Sequence, residues 1–396
     1  MKKLIFISSI VPDAEPYWNE AFTRSANNVF LGIVNALPKD LEVSLWSCKA
    51  SPSFPKGPLW LKGGKATLEN GQIIHFLPAI NIRFVKNIIW GLICIIKILL
   101  WRFTHPSGKC TILTYNNTVP PLESLYLASI ISNVRLFAIL YDLGIPPTNL
   151  KLSKSVRLGY LYTEWKAKKT IKKIDGRIII NELIARDYAP GKDFLLIDGG
   201  ISDAVIKKLF PLKVNDDKQF VFVLAGMLWE NNGTRIILDA LKLNSSPQIK
   251  MIFAGRGQDV ELIKEYSLKD TRVEYVGMLN MDDLFKLYER ADALLNLRIE
   301  DETDYHFPSK LLEYLTTGKL VVSTPIAHAE RDYGQYLYML HDISAKGLSD
   351  AWDSILQMDK ETLYEKGKRQ RDFMLQNRTW STRTKEMLHY MKLDED

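Results

Sequence analysis

Short apolar runs and longer stretches of helical periodicity alternate along this chain. Residues 4–8, 41–46, 73–77, 111–114 and 136–141 are compact apolar runs, the pattern of buried strands. Residues 25–37 carry apolar positions at helical spacing, and 122–131 read as another helix. Strands at 177–181 and 195–200 follow. Alternation of this kind predicts a parallel sheet with helices on both faces.

A polar, Pro-led segment at 211–218 reads as an interdomain linker. The alternation then restarts. Strands are expected at 220–224, 249–254, 273–276, 293–297 and 320–323, and helices at 233–241, 260–266, 282–290 and 309–316. Two such halves predict an α/β chain of two facing Rossmann-like domains. Sites in such sheets lie at the carboxyl ends of strands, and a cleft between domains is the default pocket.

Composition narrows the class without naming a function. The chain has 396 residues, 46% hydrophobic and 25% charged, which excludes wholesale disorder and a collagen-like repeat. Lys and Arg number 52 against 46 Asp and Glu, an excess too mild to imply nucleic acid. Cys48, Cys94 and Cys110 are widely spaced with no CxxC, so neither a disulfide framework nor a zinc ribbon is expected, and a reducing, cytoplasmic setting is. The six histidines are scattered, and no metal site is expected.

Two segments bear on membranes. The opening Lys2-Lys3 and apolar run imitate a signal peptide, but the run breaks at Pro12-Asp13, so a buried first strand is expected. Residues 88–101 are apolar apart from Lys97, and fall short of the roughly 20 residues that a span requires. They read as a helix buried against a sheet or as an interfacial helix, with Trp90 and Trp101 as anchors. Lys166, Lys168, Lys169, Lys172 and Lys173 crowd beside Tyr160, Tyr162 and Trp165, as a solvated helix face or as attraction to anionic lipid. Together these features make peripheral attachment at the inner face of the cell membrane an expectation.

The chemistry concentrates in the second half. Three glycine turns each follow an expected strand: Ala225-Gly226-Met227, Ala254-Gly255-Arg256-Gly257 and Val276-Gly277-Met278. Glycine permits close backbone approach to a ligand. No GxGxxG and no GxxxxGK[ST] occurs, which disfavours nicotinamide and flavin dinucleotides and a P-loop. Arg298 and an acidic loop at 300–304 precede Pro308-Ser309, which starts a helix. The free N–H groups of that helix form an anion site suited to a diphosphate. Lys310 adds charge there, and Arg298 could reach the same anion. Glu313 is either a surface partner of Lys310 or an acceptor for a ribose diol, and Gly318 ends the helix.

These residues carry a resemblance. The stretch 224–233, the turn Phe253-Ala254-Gly255-Arg256-Gly257, and Phe307-Pro308-Ser309-Lys310 through Glu313 and Gly318-Lys319 resemble the nucleotide-sugar domain of GT-B glycosyltransferases, most closely family 4-like enzymes of bacterial surface-polysaccharide assembly. The first half looks like the acceptor domain, with Tyr141-Asp142 in place of a His-Asp turn and Asp198-Gly199-Gly200 like the interdomain turn. Two departures stand out. Tyr305 occupies the place of the first acid of a Glu-x7-Glu pair, and Asn231-Asn232 replace a basic pair.

The resemblance implies a GT-B fold with a central cleft. It implies an acceptor-binding domain at 1–207, a nucleotide-sugar domain at 208–375, and a helix at 376–396 crossing back to the first. It also implies retaining transfer of a hexosyl-type sugar from a nucleotide-diphosphate sugar, which serves as co-substrate without any further cofactor. The acceptor would be a saccharide or a lipid-linked molecule in capsule or O-antigen assembly. Catalytic roles would fall to Asp142, Arg298 and Lys310. Donor contacts would come from Gly226, Met227, Asn232, Gly255, Arg256, Gly257, Gly277, Met278, His306, Phe307, Pro308, Ser309 and Glu313. The departures keep two alternatives open, a catalytically degenerate partner subunit and a sugar-nucleotide 2-epimerase.

Overall fold

The computed structural model describes residues 2–19, 21–141, 143, 154–214, 218–299 and 305–394. The chain divides into two compact units, Met1–Gly200 with Trp380–Asp396, and Ile201–Thr379.

The first unit begins with β1 (Lys2–Ser8), α1 (Arg24–Asn35) and β2 (Glu42–Ser47). Four short strands follow: β3 (Trp60–Leu61), β4 (Gly64–Thr67), β5 (Ile73–Phe76) and β6 (Ala79–Ile80). Then come α2 (Val85–Thr104), β7 (Lys109–Tyr115), α3 (Leu122–Ser132), β8 (Arg135–Leu140), α4 (Lys154–Ile171), β9 (Gly176–Ile179), α5 (Glu182–Tyr188) and β10 (Leu195–Leu196). The sheet order is β10-β9-β8-β7-β1-β2-β5-β4, while β3 and β6 form a separate ribbon. The central strand β1 buries Leu4, Ile5, Phe6 and Ile7 in succession, as a parallel strand covered on both faces must.

Crossover handedness then sorts the helices. The step from β1 to β2 runs one way along the sheet, and the steps to β7, β8, β9 and β10 run the other way. Right-handed crossovers therefore put α1 on one face and α2 to α5 on the opposite face. The helix at Trp380–Tyr390 packs with α1. On that face Phe30 meets Phe6 and Tyr115 edge-on at 6.1 and 4.6 Å.

Four expectations are corrected here. First, the sheet is not wholly parallel, since β4 pairs antiparallel with β5. Asn70-Gly71 turns the chain there, with Gly71 at φ +84° and its N–H donating to Leu68 O at 2.9 Å, and so short a loop cannot make a crossover. Second, the run 195–200 yields only a two-residue strand. Third, the unit boundaries lie at 200/201 and 379/380 instead of 207/208 and 375/376. Ile201 N–H donates to Arg378 O at 2.7 Å and Arg371 donates to Phe210 O at 2.7 Å, which ties residues 201–210 to the second unit. Fourth, Trp90 is buried with its indole donating to Leu77 O at 3.0 Å, so it is not an interfacial anchor.

The second unit carries α6 (Asp203–Ile206), β11 (Phe220–Met227), α7 (Thr234–Leu243), β12 (Ile249–Arg256), α8 (Val260–Ser267), β13 (Val273–Gly277), α9 (Met281–Arg290) and β14 (Ala293–Asn296). It continues with α10 (Ser309–Thr317), β15 (Leu320–Ser323), α11 (Ala329–Tyr333), β16 (Leu337–Met339), α12 (Ala345–Leu356) and α13 (Lys360–Asn377). Helix α14 (Trp380–Tyr390) belongs to the first unit. Strand order is β13-β12-β11-β14-β15-β16, parallel throughout. The chain builds outward from β11 through β12 to β13, then returns to start again at β14 on the other side of β11. The boundary between β11 and β14 is thus a topological switch point, where connections diverge and a crevice opens at the carboxyl ends.

Candidate functional site

The carboxyl ends of the second sheet stand in register. Gly226 lies opposite Gly255 and Met227 opposite Arg256, while Ala254 lies opposite Gly277 after a register shift. Gly226 and Gly255 take φ of +130° and +136°. A Cβ at Gly255 would overlap Gly226 O, whereas nothing lies within 4 Å of a Cβ at Gly226. Gly255 therefore serves the close approach of two strand ends, and Gly226 faces open space. Met227, Arg256 and Met278 are exposed at this end, and the Asn232 amide donates to Met227 O at 2.6 Å, closing the turn after β11. Gly257 sits under Leu228, whose carbonyl accepts from Asp259 N–H at 3.1 Å.

Across the switch point, Thr324 fixes the segment after β14. Its hydroxyl accepts from Arg298 N–H at 2.9 Å and donates to Arg298 O at 2.8 Å. Ile299 N–H donates to Asn231 O at 3.0 Å, so the Arg298 segment abuts the Asn231-Asn232 turn. Arg235, the next cation along, is committed to Glu230 at 3.2 Å and Asp259 at 3.3 Å and does not substitute for the missing basic pair.

Helix α10 enters the same end. Phe307 is buried and stacks on His328 at 4.6 Å, which anchors the approach to the helix. Pro308 occupies the N-cap and supplies no side-chain cap, and Ser309 and His306 are exposed. Leu311 N–H donates to Pro308 O at 2.9 Å, so the partial positive charge of the helix is presented through the N–H groups of Ser309 and Lys310. Lys310 Nζ lies 2.7 Å from Glu313 Oε1 and 3.1 Å from the Tyr288 hydroxyl, which donates to Glu313 Oε1 at 2.8 Å. Glu313 is thus the partner of Lys310, and both described bonds fall on one carboxylate oxygen.

Sequence reasoning missed three tyrosines. Tyr314 on α10 accepts from Ala225 N–H and donates to Ala225 O, both at 3.0 Å, and so holds the base of the Gly226 turn. Tyr275 donates to Gly255 O at 2.9 Å and holds the second turn. Tyr288 packs edge-on against Tyr314 with centroids 5.5 Å apart and links that clamp to Lys310 and Glu313. Burial, with Tyr314 and Glu313 nearby, pushes the Tyr288 hydroxyl well above its usual range, so it remains a proton donor. Burial raises Tyr314 likewise. At helix and strand positions facing a core, the aromatic rings looked like packing alone. The visible signal was a tyrosine directly after Glu313.

The structure therefore brings together Gly226, Met227, Asn232, Gly255, Arg256, Gly257, Gly277, Met278, Arg298, His306, Phe307, Pro308, Ser309, Lys310 and Glu313 at one end of one sheet. Asp142 and the acidic loop at 300–304 lie outside the described residues. Among the described residues, no cluster of three or more His, Cys, Asp or Glu is arranged to hold a metal ion.

Residues 219–358 match the family model described as Glycosyl transferases group 1. No curated protein matches the chain in sequence. Several solved structures match it in fold. Sucrose-phosphate synthase from Thermosynechococcus elongatus superimposes with a TM-score of 0.63 at 15% identity, covering 98% of each chain. Anabaena HepE in complex with UDP gives 0.66 at 14% identity, over 98% of this chain and 99% of its own. A glycosyltransferase from Rickettsia africae gives 0.66 at 15% identity, over 100% and 99%. The chain thus has the GT-B fold, and its second unit matches the group 1 glycosyl transferases across the strands and helices that build the site.

Proposed function

We propose that this protein is a retaining glycosyltransferase that moves a sugar from a nucleotide-diphosphate sugar to a saccharide or lipid-linked acceptor in glycan assembly. The observation that carries the reading is the uncapped start of α10 beside the Lys310–Glu313–Tyr288 cluster, at the switch point of a sheet with an open Gly226 turn. Support also comes from HepE, which has been seen with UDP and with UDP-glucose.

In this reading the diphosphate rests on the α10 N-terminus. Loss of the leaving group builds charge on phosphate oxygens, and preorganised positive groups stabilise it. Arg298, Lys310 and the first-turn N–H groups supply them. Tyr288 holds Lys310 in place, Glu313 turns its other oxygen to the ribose hydroxyls, and the backbone after Gly226 and Gly255 lines the donor. The first unit takes the acceptor, with Asp142 orienting it while the leaving phosphate receives the acceptor proton.

Calorimetric titration with UDP, GDP, TDP and CDP tests the donor site. One nucleotide should bind, and Lys310→Ala should weaken it about 10- to 150-fold, the worth of a charge-assisted hydrogen bond. A well-folded protein that binds none of them would overturn the reading. Asn231 and Asn232 in the place of a basic pair favour one second reading, a non-catalytic partner subunit. Nucleotide binding without any transfer to supplied acceptors would support that one, and an isomerised sugar nucleotide as product would mark an epimerase.

A further inference from the structure

The first unit carries a surface that the donor-site chemistry does not use. Helix α2 is 20 residues long, about 30 Å at the α-helical rise. Its inner face buries Trp90, Gly91, Cys94 and Ile98 against the unit. Its outer face exposes Ile88, Leu92, Ile96, Leu100 and Phe103, each between 54% and 86% accessible. These positions recur every three or four residues, so they form one stripe along the helix. The neighbouring α3 packs on α2 and exposes Leu127, Ile130 and Ile131. The next helix, α4, packs on α3 and exposes Leu158, Leu161, Tyr162 and Trp165. All three helices cover the same face of the sheet, so twelve exposed apolar side chains gather on one layer, the kind of clustering that marks an interaction surface.

Charge marks the partner. Helices α2, α3 and α4 contain eight basic and two acidic residues, an excess equal to the net +6 of the entire chain. Both acids are engaged, Glu164 with Lys168 at 2.8 Å and Glu123 with Lys166 at 4.0 Å. Lys169 lies 3.8 Å from the Trp165 ring centroid, and exposed Lys172 and Lys173 follow. At the carboxyl ends of α2 and α3, a cavity of about 760 Å³ is lined by Lys2, Arg102, Lys109, Arg135 and Lys392, with no carboxylate among the described residues, and shares Ile131 with the apolar residues of α3.

We propose that α2, α3 and α4 form a docking face for an anionic lipid bilayer, with α2 lying flat in the interface. Apolar side chains entering the acyl boundary beneath a basic rim are the composition such a surface requires. A flat orientation follows from the inner face. Crossing the bilayer would pull Trp90, Cys94 and Ile98 out of the core and break the bonds from Arg102 to the carbonyls of His105, Pro106, Gly108, Ser132 and Asn133. The proposal rests on the first unit alone and stands or falls independently of the donor site.

Vesicle flotation tests it. The full chain should float at low salt with vesicles of phosphatidylcholine containing phosphatidylglycerol, and far less with pure phosphatidylcholine or at high salt. Each of Lys169→Gln, Lys172→Gln and Lys173→Gln should weaken partition about fivefold. The double variant Leu92→Glu/Ile96→Glu, at exposed positions, should abolish flotation while keeping the wild-type melting temperature. If it fails to fold, the lysine series decides. A chain that stays at the bottom with anionic vesicles at low salt overturns the proposal, as does flotation indifferent to lipid charge. Light scattering that shows a dimer dissolved by Leu92→Glu/Ile96→Glu, without flotation of the wild type, would assign the face to a second copy instead.

Discussion

Tyr314 shows how one hydroxyl can set a binding turn. It both donates to and accepts from the backbone of Ala225, so it fixes the residue before Gly226 in position and orientation. Tyr314→Phe leaves a buried N–H and a buried carbonyl without that partner, at about 1–3 kcal/mol for each orphaned group. The expected result is a lower urea midpoint for the second unit together with weaker nucleotide binding, read by calorimetry under conditions where the variant remains folded. Tyr288→Phe should act differently. The Lys310–Glu313 pair survives the loss of the Tyr288 hydroxyl, so the unfolding free energy should fall by only about 1 kcal/mol, while nucleotide affinity falls because Lys310 loses the bond that positions it. Lysine, glutamate and the uncapped helix start were legible in sequence because their charges and spacing declare a purpose. The tyrosines were not, because a buried aromatic at a helical core position looks the same whether its hydroxyl is working or idle.

The strand-end glycines divide at the level of elements. All three turns were visible as Gly after an apolar run, but sequence gives no means of telling a glycine needed by its neighbour from one needed by a ligand. At Gly255 a Cβ would strike the carbonyl oxygen of Gly226 on the adjacent strand, and neither backbone can yield without breaking the β11–β12 register. Gly255→Ala should therefore cost more than about 4 kcal/mol and abolish a cooperative melt of the second unit. At Gly226 the space is open, so Gly226→Ala should bear only backbone strain of about 1–3 kcal/mol. It should melt cooperatively and bind nucleotide poorly, since the methyl projects into the crevice. Equal melting temperatures for the two variants would refute the distinction. The hairpin at Asn70-Gly71 escaped for a related reason: the run at 73–77 was legible as a strand, but its partner Gly64–Thr67 is four residues long and mostly exposed, with no apolar pattern to mark it.

For the molecule as a whole, the alternation of strands and helices was legible over nearly the full length because parallel strands covered on both faces must be continuously apolar. The ends of the units were not legible, because they depend on hydrogen bonds between residues far apart in sequence, such as Ile201 with Arg378. The return of the chain to the first unit depends on such long-range packing. Trp380 is 6% exposed and fills a notch at Gly32 and Gly200, where a Cβ on either glycine would overlap its ring. Trp380→Ala should destabilise the first unit by about 3–5 kcal/mol and leave nucleotide binding by the second intact, measured by urea unfolding and calorimetry.

The same unit holds all three thiols, and they make its stability depend on alkaline pH. Cys48, Cys94 and Cys110 are buried and free. Burial pushes Cys94 and Cys110 up to about 12 from the usual 9.0, and raises Cys48 in the same direction. Below pH 9.0 the thiols are protonated in both the folded and unfolded chain, and their contribution to stability is constant. Above 9.0 the unfolded chain releases protons that the folded chain keeps, so each of Cys94 and Cys110 lowers stability by about 1.4 kcal/mol per pH unit until about pH 12. Urea midpoints measured under reductant at pH 8 and pH 10 should fall for the wild type. The fall should be smaller in Cys94→Ala and in Cys110→Ala, even though each cavity lowers the midpoint at both values. An unchanged pH slope in both variants would place the alkaline sensitivity on other groups, with Tyr141 the first to examine, since its hydroxyl is also raised by burial in this unit.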